Sequence, residues 1–194
     1  MQLSVVLLLC FMILCLSGAA QGLCKAWGMR WWTLLLCCAA LLFCNAFCTT
    51  VLPELIINPA CVLLMALPGT IAVARGQGKT LWAAFGLSLL GGLGMLLMKR
   101  LNLSFFEPGL LLGLIGLVCS LPLLRAPYSA LFCIGLSPLC MALWGGGLEL
   151  YAFGYTIVTL GSPLAFDAQV SGAALMLGLY WIYHAPFRLR QARE

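Results

Sequence analysis

The sequence predicts an all-α fold: a polytopic membrane helix bundle of about seven transmembrane helices, with the N-terminus outside and the C-terminus cytoplasmic. Composition is the first observation behind this. Hydrophobic residues make up 64% of the 194-residue chain and charged residues 8%, with a mean hydropathy of +1.11, where soluble domains have roughly 45–50% apolar and about 25% charged residues. Segment length is the second. The apolar runs are about 16 to 22 residues long, which suits helices and not the roughly 10-residue alternating strands of a membrane barrel. Charge placement is the third, since the Lys and Arg residues stand singly or in pairs between the runs.

The first span covers residues 2–22. Ser17, Gly18, Ala19 and Ala20 are small residues of the kind found at a signal-peptide cleavage site, but no basic segment precedes the apolar run. Lys25 and Arg30 follow it, so it reads as an uncleaved helix that starts outside. The second span, 31–51, opens on Trp31 and Trp32 beside Arg30, an interfacial anchor, and Pro53 and Glu54 end it. In the third span, 55–74, Asn58-Pro59 lies near the start and Pro68-Gly69 at mid-depth, where a kink is expected.

The next segment, RGQGKT from Arg75 to Thr80, ends like a phosphate-binding loop, but that motif needs a glycine where this chain has Val73. It reads as a short cytoplasmic loop. Small-xxx-small pairs, Ser88 with Gly92 and Gly109 with Gly113, mark the fourth span, 81–98, and the fifth, 108–124, as helices that approach neighbours closely. The loop between them carries Lys99, Arg100, Asn102 and Glu107, and Arg125 and Pro127 turn the chain into the sixth span, 128–144. Residues 145–162 then read as a re-entrant or interfacial segment, because three consecutive glycines, Gly145 to Gly147, offer a break and the run 151–160 is too short to cross a core about 30 Å thick. Ser162-Pro163 supplies an N-cap and first turn for the seventh span, 163–183, followed by a cytoplasmic tail, 184–194. The whole chain is thus a single integral membrane domain.

With this layout Lys25, Arg30, Arg75, Lys79, Arg125, Arg188, Arg190 and Arg193 are cytoplasmic, and of the cations only Lys99 and Arg100 lie outside, as the positive-inside rule requires. Those two are placed to snorkel or to contact lipid phosphate. Cations dealt out in this way make no nucleic-acid face, despite a net charge of +5. Most of the eleven cysteines sit inside apolar runs with no CxxC pair, so they read as small apolar fillers and no metal site or cofactor is expected.

The candidate binding residues are Asp167, Glu149 and Ser171. An intramembrane carboxylate is costly and often marks a solute, ion or proton path. Asp167 shares a helical stripe with Ser171, Ala174 and Gly178, and Glu149 is a plausible partner. The competing reading makes Asp167 a first-turn carboxylate stabilised by the helix dipole. No catalytic residue is expected. Ser137 with His184 loosely matches the serine and histidine of rhomboid proteases, but Pro138 replaces the glycine after the serine and the two residues lie at different depths.

From the sixth span onward, an acidic residue after glycines, then Tyr155, Leu160-Gly161-Ser162, Phe166-Asp167 and a small-residue helix ending near Trp181 form a pattern that resembles the YphA-like uncharacterised membrane proteins of endospore-forming Firmicutes. In that family a similar G-S-x-x-F-x-D arrangement opens the last helix. The likeness covers mainly the last quarter of the chain and implies a sporulation-associated protein of the bacterial cell membrane without an assigned activity. The expectation is therefore a non-enzymatic structural or interaction protein, whose partners are the lipid bilayer and other membrane proteins met through glycine-rich helix faces. The alternative is a small-solute or ion transporter, or the substrate-binding membrane subunit of a vitamin importer, using Asp167 and Glu149. A central polar cavity reached by both acids favours transport; a bundle packed solid through its glycines favours the interaction protein.

The topology is directly testable. A reporter fused after Glu194 is expected to be active in the cytoplasm and one inserted near Gly154 outside, so cytoplasmic activity at Gly154 would overturn the layout.

Overall fold

The computed structural model describes residues 2–47, 49–52, 55–101, 107–154 and 156–191. Pro53, Glu54, Asn102, Tyr155 and Arg193, on which parts of the sequence reading rest, lie outside them. The protein is mostly helical, 83%, and among the described residues it also contains a small sheet. In chain order the helices are α1 (Leu3–Leu16), α2 (Gln21–Trp27), α3 (Trp31–Asn45), α4 (Pro59–Ala74), α5 (Gly78–Leu101), α6 (Pro108–Ser120), α7 (Pro127–Phe153) and α8 (Pro163–Gln191). The strands are β1 (Thr49–Leu52), β2 (Leu55–Ile57) and β3 (Val158–Leu160). Helices α4, α6, α7 and α8 all open on proline, whose fixed φ suits the first turn and whose missing N–H would have had no partner there.

Two of these helices, α5 and α7, are long and apolar enough to cross a membrane, with 24 and 27 residues. At a rise of about 1.5 Å per residue they reach roughly 36 and 40 Å, more than a hydrocarbon core of about 30 Å. Apolar helices α1, α3, α4 and α6 are shorter. The chain alternates between two ends of the bundle. Hydrogen bonds join Gln2, Asn45 and Asn58, and Ser4 to Asp167, so the starts of α1, α4 and α8 meet the finish of α3 at the end that carries the sheet.

Several expected boundaries move. The first span is broken: α1 stops at Leu16 and Gly18 turns the chain with φ 79° into α2. The second stops at Asn45, and Thr49, Thr50 and Val51 pass into β1, which pairs antiparallel with β2, as the β-branched run favours. Strand β2 takes the first residues of the third span, after which Asn58 caps α4 by accepting from Ala60 N–H at 3.0 Å. Helix α4 continues through Pro68 to Ala74. In the fifth span, α6 ends at Ser120 in a short 3₁₀ turn, Leu121–Leu123.

The largest correction concerns 145–162. Helix α7 runs through all three glycines to Phe153, where Gly154 ends it with φ 70°, so the first half of the expected re-entrant or interfacial segment is a continuation of the sixth helix. Residues 158–160 instead form β3, parallel to β2. Glycine is a poor helix former, at about 1 kcal/mol relative to alanine, but packing prevails: a Cβ on Gly146 would lie 2.6 Å from Val158 Cγ2, so the bare backbone lets β3 rest on α7. Gly161, with φ 92°, turns the chain from β3 toward α8 where a Cβ would lie 2.7 Å from Cys61 Sγ.

Close helix contacts follow the small residues. Helix α5 packs on α7 and α6 on α8. A Cβ on Gly92 would lie 2.6 Å from Cys140 Cβ and 2.8 Å from the Met141 amide nitrogen, and one on Gly113 would strike Ser171 Oγ. The GxxxG of α6 is therefore an internal seam. The first part of α8 is enclosed, with Ala165 through Gly172 all buried, and Phe166 and Val170 join the core formed with Leu8, Leu41, Leu64 and Leu139. Buried Cys38, Cys61, Cys133 and Cys140 fill space in these cores.

These contacts separate two kinds of glycine. Gly92→Val is expected to lower stability by about 1–3 kcal/mol through overpacking. Gly147 has nothing within 4 Å of a Cβ, and Gly147→Ala is expected to be neutral or to stabilise by up to about 1 kcal/mol. Thermal melts in detergent measure both; a loss at Gly147→Ala would argue for a break at the glycines.

Candidate functional site

Asp167 is 8% exposed and its Oδ1 accepts a hydrogen bond from the Ser4 backbone N–H at 2.8 Å. Ser4 lies in the first turn of α1, where backbone N–H groups have no partner within the helix. The N-cap residue, Gln2, makes no side-chain cap; its Oε1 accepts from Asn45 Nδ2 at 3.1 Å instead. The cap comes from a carboxylate 163 residues further along the chain. A negative group here meets both an unsatisfied donor and the positive end of the α1 dipole. The dipole that Asp167 serves is thus that of α1 and not its own.

Ser171, one turn further, is buried and donates to Gly109 O at 3.0 Å, tying α8 to α6. Asp167 Cβ and Ser171 Oγ are the atoms that side chains on Gly109 and Gly113 would meet. Half of the expected stripe therefore faces the α6 seam, whereas a Cβ on Gly178 would have open space.

Glu149 is elsewhere. It is exposed near the C-terminal end of α7, and its Oε2 accepts from Thr156 Oγ1 at 3.0 Å. It lines a cavity of about 500 Å³, together with Lys99 and Arg100 from the end of α5 and Thr159 and Ser162 around β3. Asp167 does not line this cavity. The two acids are thus not brought to one site.

Sequence reading passed over Gln169. It is fully buried, and its Nε2 donates to Gly135 O of α7 at 2.5 Å and to Cys61 O of α4 at 3.4 Å. An amide among apolar residues of a helix is the signal that identifies it, because a buried amide must find hydrogen-bond partners, here on two neighbouring helices. Also passed over was an aromatic cluster at the end away from the sheet. Tyr128 donates to Trp27 O at 2.6 Å, the two rings meet edge to face at 5.7 Å, and the Arg75 guanidinium lies 4.5 Å from the Tyr128 ring centre. Ser137 is buried and donates to Cys133 O at 2.8 Å, within its own helix.

The cap gives a graded expectation. Asp167→Asn keeps an acceptor oxygen and should melt close to the parent protein, while Asp167→Leu leaves the Ser4 N–H unpaired and should cost about 1–3 kcal/mol. Melting curves of the two variants read the difference.

Family models, curated proteins and solved structures were all compared with the chain, and none matches it.

Proposed function

We propose that the chain is a multi-pass protein of the bacterial cell membrane that works without enzymatic activity, as a structural or interaction protein. The sheet end faces outward and the end with Lys25, Arg30, Arg75 and Arg125 faces the cytoplasm. Supporting the membrane reading are the two long apolar helices and large apolar side chains exposed around the bundle, among them Ile13, Phe43, Trp82, Leu90 and Val118. A soluble protein rarely carries so much exposed apolar surface.

The observation that carries the functional reading is the bond between Asp167 and Ser4. The intramembrane carboxylate, first candidate for a solute path, is engaged in holding two helices together, and Gln169 beside it bonds to the backbones of two more. The glycine seams leave helices in direct contact where a path would need space. A role in endospore formation rests on the resemblance of the C-terminal quarter to the YphA-like proteins. Transport keeps one support, the cavity beside Glu149.

Complementation separates these readings. In an endospore-forming host, deletion of the gene is expected to lower the yield of heat-resistant spores. Asp167→Asn should restore the yield and Asp167→Leu should fail with a reduced membrane level. Failure of Asp167→Asn at a normal membrane level would favour transport through Asp167, and an unchanged yield on deletion would remove the sporulation role.

A further inference from the structure

The cavity at the sheet end holds both signs of charge without letting them meet. Lys99 and Arg100 reach it from the last turn of α5 and Glu149 from the end of α7, yet among the described residues none of the three forms an ion pair. Helix dipoles account for the cations, which are favoured at a C-terminus, but they oppose a carboxylate near the C-terminal end of α7. Glu149 is nevertheless held there by Thr156 through Oε2, and its Oε1 has no hydrogen-bond partner among the described residues.

The volume, about 500 Å³, falls in the range of small-ligand sites, about 300–1,000 Å³. Leu96, Met141 and Val158 supply apolar wall. Gly145 and Gly146 supply wall without side chains, and a Cβ on Gly145 would have only an ordinary contact, 3.6 Å from Leu96 Cδ1. A simple anion would face Glu149 as well as the cations, and a simple cation would face the pair of positive charges. A ligand with separated charges satisfies all three. Half-exposed Trp144 and exposed Tyr151 and Phe153 stand on the same end of α7, and aromatic residues of this kind mark headgroup depth in a bilayer.

We propose that this cavity binds the headgroup of an amine-bearing zwitterionic phospholipid of the phosphatidylethanolamine type, with the phosphate on Lys99 and Arg100 and the primary ammonium on Glu149. The proposal rests on the reading of the chain as a membrane protein. Arg and Lys suit phosphate as charge-assisted donors, and a primary ammonium can donate to the open carboxylate oxygen where a trimethylammonium cannot.

The full chain in nanodiscs of matched acyl chains, containing phosphatidylethanolamine, phosphatidylcholine or phosphatidylglycerol, tests this by native mass spectrometry of retained lipid. The expected result is retention of phosphatidylethanolamine over phosphatidylcholine by about tenfold, the worth of a charge-assisted hydrogen bond. Glu149→Gln should abolish that preference, Gly145→Leu should fill the cavity and lower retention, and Lys99→Ala with Arg100→Ala should lose both phosphatidylethanolamine and phosphatidylglycerol. Equal retention of the three lipids, or a preference that survives Glu149→Gln, would overturn the site. Displacement of the lipid by equimolar glycerophosphoethanolamine would assign the cavity to a soluble zwitterion and overturn the lipid assignment. A chain that does not elute with the discs overturns the membrane reading and this proposal together, whereas incorporation without selectivity overturns the proposal alone.

Discussion

The hydrogen bond from the Ser4 amide to the Asp167 carboxylate sets the arrangement at the sheet end. In a low-dielectric interior an uncapped helix start and an unpaired carboxylate are each costly, and here each relieves the other. Fixing α1 against α8 brings Gln2 to Asn45, and Asn45 to Asn58. Asn58 in turn caps α4 and takes up Leu160 O through its own N–H at 2.9 Å. One run of polar contacts thus links the ends of four helices to the sheet, while contacts of small residues close the α5–α7 and α6–α8 seams.

The sheet adjoins the short helices of the bundle. Helices of 14, 15 and 16 residues, as in α1, α3 and α4, span only about 21 to 24 Å at 1.5 Å per residue. The chain between α3 and α4 continues as paired strands, so its backbone groups bond to one another at that end. Strand β3 completes the sheet beside α7, which at 27 residues is longer than any of these three helices.

Much of this was legible in the sequence. Asn58-Pro59 and Ser162-Pro163 mark helix starts because their effect is local: an acceptor side chain followed by a fixed φ. Small residues at four-residue spacing correctly marked the seams of α5 and α6. What could not be read depends on partners distant in the chain. The glycines of 145–147 look like a break until Val158 is seen against Gly146, and β3 exists only by pairing with β2, about 100 residues earlier in the chain. Asp167 was recognised as unusual, but a backbone amide 163 positions away leaves no mark in its neighbourhood. Asp167 and Glu149 both stand at the sheet end, but whether a side chain enters a helix contact or lines a cavity depends on the packing of other segments, and the two do not meet.

That separation of 163 positions also bears on how the protein is made. A chain is synthesised from its N-terminus, and folding generally follows that order. The Ser4 amide of α1 is therefore made early and lacks this partner until almost the whole chain has been synthesised. Arrival of α8, which brings Asp167 to α1 and Gln169 to α4 and α7, is the event that closes the bundle. Until that moment the earlier helices can pack on one another, several of them through α7, but α1, α4 and α6 lack the helix that joins them.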